Sequence, residues 1–163
     1  MKPESAAKQL DRFMAKYTPE IVRLARAILA KMRARLPGAI EMVYDNYNGL
    51  VIGFGPSERP SEALFSIVLL PQWVTLCFLT GAQLRDPDRV LKGAGNVVRS
   101  VRMMSAAEID RPAIGALMDQ ALARAEKPID ESGQRKLIIK SISEVQRPRR
   151  PAEPKKARTQ SKK

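Results

Sequence analysis

Residues 40–54 read IEMVYDNYNGLVIGF, and the fold follows from how this stretch divides. Ile40, Met42 and Tyr44 alternate with Glu41, Val43 and Asp45, the period of two that a pleated strand imposes. Asn46 to Gly49 supplies turn chemistry, since asparagine side chains bond nearby backbone and glycine has no Cβ to obstruct a tight bend. Leu50, Ile52 and Phe54 repeat the alternation as the inward face of a return strand, so the segment predicts an antiparallel hairpin. Glu41 and Asp45 share one face of the outgoing strand, about 13 Å apart at roughly 3.3 Å per residue. That exceeds the ~5 to 9.5 Å of glycosidase carboxylate pairs, and both residues are expected at the surface.

Downstream, the polar loop 55–60 precedes an apolar run from Ala63 to Leu70. Pro71-Gln72 then turns into Trp73–Leu79. The second run is apolar on both faces, which suits a covered central strand or a dimer contact. Interrupted by Ser66, Pro71 and Gln72, the whole stretch is shorter than the ~20 residues of a membrane span. Asp86-Pro87 predicts a short helical turn closed by Gly93, and Val97–Met104 a further strand. Ser105 and Glu108 have capping-box spacing, Asp110 offers a second cap, and Ile114, Leu117, Met118, Ala121 and Leu122 stripe a closing helix.

Upstream, Leu10, Phe13, Met14 and Tyr17 line one face of a short helix at i, i+3, i+4, i+7. Thr18 offers an N-cap hydroxyl, Pro19 fits the first helical position, and Pro37-Gly38 ends the second helix that they begin. Its buried stripe is Ile21, Leu24, Ala25, Ile28, Met32 and Leu36.

The chain has 163 residues and is 44% hydrophobic, enough for a single core. Twenty-nine Lys and Arg against 17 Asp and Glu give a net charge of +12. The excess lies late: 17 cations and 13 anions precede Lys127, and 12 and 4 lie from there on. Such asymmetry points to a polyanionic partner, nucleic acid first and an anionic membrane second. The lone Cys77 excludes an internal disulfide, and no apolar leader opens the chain, so a reducing cytoplasm is expected. With no histidine, Ser-His-Asp and Cys-His centres and imidazole metal sites are excluded. Cys77, inside an apolar strand without a neighbouring base, reads as an inert core residue.

The segments YDNYNGLVIGF at 44–54, Gly81 with Leu84 and Asp86-Pro87, LKGAG at 91–95 with its following Val-Arg, and the closing helix resemble the YdhG-like domain of bacterial proteins, over roughly residues 20–126. KLIIKS at 136–141 and QRPRRP at 146–151 are similar to tails of some members. The resemblance implies an α+β fold in which helices cover one antiparallel sheet, with no settled function. Iron handling is associated with some relatives. It would need gathered ligands, and here there is no histidine, one cysteine and a basic first long helix.

The expected architecture is therefore an α+β domain at 1–126, with an antiparallel sheet of about five strands covered by N- and C-terminal helices. A linker at 127–145 with one extra strand at Lys136–Ile142 and a disordered basic tail at 146–163 follow, the tail lacking any apolar residue larger than alanine. The functional expectation is a non-catalytic binding module. Its tail would hold nucleic acid or another polyanion through Arg147, Arg149, Arg150, Lys155, Lys156 and Arg158, while the body takes a small ligand or a protein partner. Without interleaved aromatics, the tail's attachment would be phosphate-driven and weakly sequence-specific. The alternative is a small-ligand (anion or metal) carrier or enzyme with a pocket near Tyr44, Asn46, Tyr47, Lys92, Arg99 and Arg102, the Gly-rich 92–95 turn offering N–H groups to an anion. No catalytic residue, metal ligand or cofactor is assigned, and the oligomeric state, dimer included, stays open.

Overall fold

The computed structural model describes residues 3–152. Among these, three α-helices and six strands follow in the order α1 (Ala6–Met14), α2 (Pro19–Arg35), β1 (Ile40–Asp45), β2 (Leu50–Gly55), β3 (Phe65–Leu69), β4 (Val74–Phe78), β5 (Arg99–Met103), α3 (Pro112–Arg124) and β6 (Lys136–Ile142). No helix among them is long and apolar enough to cross a membrane.

The strands form one sheet in the order β5-β4-β3-β2-β1-β6. From β1 to β5 every neighbour is antiparallel, whereas β6 pairs with β1 in parallel, with a register shift between Val43 and Tyr44. The expectation of a purely antiparallel sheet of about five strands is thus corrected to a mixed sheet of six. A hairpin forces antiparallel pairing, but β6 reaches β1 after most of the chain has intervened, and its direction is free of any turn. The stretch 127–145 therefore contributes a strand to the same sheet as the body before it.

Register decides the faces. Glu41, Val43 and Asp45 stand opposite Phe54, Ile52 and Leu50, and the same row set continues through Phe65, Ile67 and Leu69 to Phe78, Leu76 and Val74. These apolar side chains, with Val101 and Met103, join Phe13, Met14, Tyr17, Ile28, Met32, Ile114, Leu117 and Met118 of the helical segments in one buried core. The other face carries Ile40, Met42, Tyr44, Val51, Val68, Thr75, Cys77 and Arg102, and none of these belongs to that core. The helices therefore cover one face and leave the other without a helix over it, although Met42 and Ser66 on that face are buried.

This parity turns Glu41 and Asp45 inward, against the expectation of surface positions. Leu50, Ile52 and Phe54 must face the core, and a one-residue slip that exposed the acids would expose all three. The burial is tolerated because β1 lies near the sheet margin, within reach of cations. Arg33 grips Glu41 with Nε and Nη2 at 2.9 and 2.8 Å, and Arg135 adds a contact at 3.8 Å.

Local signals place most element ends. Thr18 Oγ1 accepts from Ile21 N–H at 3.4 Å with Pro19 behind it, and Ser5 Oγ accepts from Lys8 N–H. Past α2, Gly38 adopts φ +79°, and a Cβ there would lie 1.9 Å from the Asp130 carbonyl oxygen. Two expectations change. Ser105 and Glu108 begin only a 3₁₀ turn at Ala106–Asp110, without a side-chain cap, and α3 starts at Pro112. Proline disfavours helical dihedrals in the residue before it and suits the first helical position. Asp86-Pro87 opens a single hydrogen-bonded turn, with Arg89 N–H donating to Asp86 O at 3.1 Å, but no helix, and the Asp86 carboxylate accepts from Val90 and Leu91 N–H at 3.0 and 2.9 Å.

Candidate functional site

After β6 the chain runs on as an arm without helix or strand, residues 143–152. The coil expected from Gln146 is present, but the arm is not loose: it docks on the β1–β2 turn and the C-terminal end of α1. Ser143 N–H donates to Asp45 O and Arg147 N–H to Tyr47 O, each at 2.9 Å. Gln146 Nε2 donates to Asp45 O, its Oε1 accepts from Lys16 Nζ at 3.0 Å, and Arg150 Nε donates to Lys16 O.

The reason for docking is Asp45. Its side chain is fully buried, and a buried carboxylate needs cations and donors. Lys16 Nζ reaches one oxygen at 2.8 Å and Arg149 Nη2 the other at 2.9 Å. Arg149 also donates to the Asn46 and Tyr47 carbonyl oxygens and lies 5.8 Å from the Tyr17 ring centroid. With only 6% of its surface exposed, Arg149 is a structural anchor. This corrects its assignment as a residue free to meet phosphates: both terminal nitrogens are engaged by Asp45 and the turn carbonyls, and the buried Nε, which has no hydrogen-bond partner, is out of a phosphate's reach.

Anchoring Arg149 turns its neighbours outward. Arg147 is exposed and lies 5.7 Å from the Tyr47 ring, itself 48% exposed. Arg150 is exposed on the α1 side. Facing the arm is the turn between β3 and β4, closed by Leu70 N–H to Trp73 O at 2.9 Å. Two cavities lie between turn and arm. One of about 600 Å³ is lined by Asn48, Leu70, Pro71, Trp73, Arg147 and Pro148. The other, about 310 Å³, is lined by Leu70 to Trp73 and Arg150 to Ala152. The Arg102 guanidinium stacks on the Trp73 ring at 3.8 Å.

The other sequence-predicted positions do not converge. Tyr44 and Arg102 share a row on the helix-free sheet face, but four strand spacings separate them by about 19 Å. Burial pushes the Tyr44 phenol up. Arg99 has the opposite parity to Arg102, and its Nη1 donates to the Gly95 and Val98 carbonyl oxygens. Lys92 bonds backbone to backbone with Ser100. Asn46 and Tyr47 lie beside the arm as carbonyl acceptors of Arg149. Lys155, Lys156 and Arg158 lie outside the described residues.

Trp73, Lys16, Asn48, Pro71 and Pro148 complete the site; from sequence Trp73 reads as strand packing and Asn48 as turn chemistry, and the other three carry no signal for it. Their proximity is non-local, and only an aromatic beside a Pro-Gln turn hints at it; Trp73 itself is half-buried. Cys77 lies half-buried on the helix-free face, where burial pushes its thiol up against an opposing hydrogen bond from Ser66. It is therefore a poor thiolate source. Among the described residues no three His, Cys, Asp or Glu side chains gather as a metal site. Searches with this chain find no matching family model, curated protein or solved structure.

Proposed function

We propose that this chain is a non-catalytic binding module that attaches to nucleic acid, or to a related polyanion, through its C-terminal arm and the basic residues that follow. The observation that carries the reading is the arm's geometry: Arg149, held at Asp45, fixes Arg147 and Arg150 in exposed positions beside Tyr47 and Trp73. Five more cations, Lys155, Lys156, Arg158, Lys162 and Lys163, follow in sequence. Phosphate-driven attachment is the chemistry that such a run supports. The resemblance to the YdhG-like domain and a cytoplasmic home belong to the same proposal.

The test is a salt titration of duplex DNA binding by fluorescence anisotropy, for the full chain and for one ending at Ala152. The full chain should show log K falling with log salt. Truncation or Arg147→Ala should flatten the slope by about 0.9 for every phosphate that is no longer neutralised. An unchanged slope in both variants would refute the reading. So would binding to anionic vesicles with none to DNA or RNA.

A further inference from the structure

We infer that the groove between the Leu70–Trp73 turn and the Arg147–Ala152 arm receives unpaired bases, so that the protein prefers single-stranded nucleic acid to duplex. The inference rests on the attachment reading above and names its substrate class. Cations alone do not discriminate: a duplex carries the denser charge, and a purely basic arm would favour it. What separates single strands is the accessible face of each base, which stacks on aromatic rings whatever its identity.

The groove has the parts that such stacking requires. Trp73 lines both cavities, and the Arg102 guanidinium on its ring holds the indole in place. Leu70, Pro71, Pro148 and Pro151 add flat apolar walls that a base would cover and a sugar-phosphate backbone would not. Asn48 brings an amide with both donor and acceptor to the larger cavity, suited to a base edge. Arg147 and Arg150 line one cavity each and supply the charge that phosphates meet as their bases enter. Tyr47, beneath Arg147 and outside the lining of both cavities, offers a second ring, itself exposed, next to Asn48. A duplex keeps its base faces covered by its own stacking and can use only the cations.

Trp73 is the sole tryptophan, so its emission reports on the groove directly. Oligo(dT) should quench the full-length protein's indole fluorescence, whereas heparin, a polyanion without bases, should bind without quenching. In anisotropy titrations oligo(dT) should bind about tenfold tighter than a hairpin duplex of equal phosphate count. Trp73→Leu should lose about that factor for oligo(dT) alone, with the salt slope unchanged, and Trp73→Phe should retain most of it. If oligo(dT) binds without quenching, or if the single-strand preference is missing or survives Trp73→Leu, the stacking inference fails while attachment stands. If neither nucleic acid binds at low salt, both fail. The quenching arm uses the unmodified protein and decides the question even if Trp73→Leu does not fold.

Discussion

At the scale of single residues, the molecule is defined by polar groups that the core cannot leave unpaired. Tyr17 is 1% exposed, yet its hydroxyl donates to Leu69 O at 3.0 Å and accepts from Leu50 N–H at 2.9 Å. Leu50 and Leu69 are partners in the β2–β3 ladder, so one phenol ties α1's end to the sheet. Tyr17→Phe strands a buried donor and a buried acceptor and should cost about 1–3 kcal/mol in chemical denaturation. Burial, the largest cause, raises the Tyr17 phenol above its ordinary value near 10. The folded state thus favours the protonated form. Its contribution is whole below pH 10 and is lost as pH rises through the folded value above that. Tyr17→Phe should therefore flatten the alkaline fall in stability while lowering stability at neutral pH.

At the scale of elements, the arm is held by a latch rather than by regular structure. Helix, strand and turn are written in short-range patterns, and Thr18-Pro19, the Asn46–Gly49 turn and the β6 segment were legible for that reason. The arm has no such pattern. QRPRR reads as coil, and coil it is, but Asp45 converts it into a packed segment from 104 residues away in the chain. Arg149→Ala leaves the buried carboxylate with only the half-exposed Lys16 and should destabilise the fold by about 3 kcal/mol, the lower end for breaking a buried pair. Arg149→Lys should recover only part of this, because one ammonium cannot reproduce a planar fork that reaches three acceptors. Hydrogen exchange at Arg147 N–H, bonded to Tyr47 O, should rise in both variants and more in the first. Unchanged stability in Arg149→Ala would remove the latch.

At the scale of the whole molecule, the sheet carries apolar residues on both faces but buries one more deeply than the other. Ile52 and Ile67 stand on the helix-covered face, fully buried, while Val51 and Val68 lie half-buried on the other. Ile67→Ala should cost about 2–5 kcal/mol as a core deletion, whereas Val68→Thr should stay within about 0.5 kcal/mol. Equal losses would mean that both faces are covered in solution. The same asymmetry explains why the candidate pocket residues scatter. Tyr44, Arg99 and Arg102 are near one another only in an outline of elements; the sheet sends them to opposite margins or opposite faces.

The amino-acid pattern by itself determined the α+β class, the hairpin about Asn46–Gly49, the inward face of β2 and the basic bias of the C-terminal region. Each depends on contacts or charges within a few residues, where period, caps and turn chemistry act. Tertiary structure alone decided that β6 runs parallel to β1, that Glu41 and Asp45 point into the core, that Arg149 leaves the set of free cations, and that Trp73 meets the arm. These outcomes depend on pairing between distant segments, where the need to satisfy buried charge and to keep one face apolar overrides local preference.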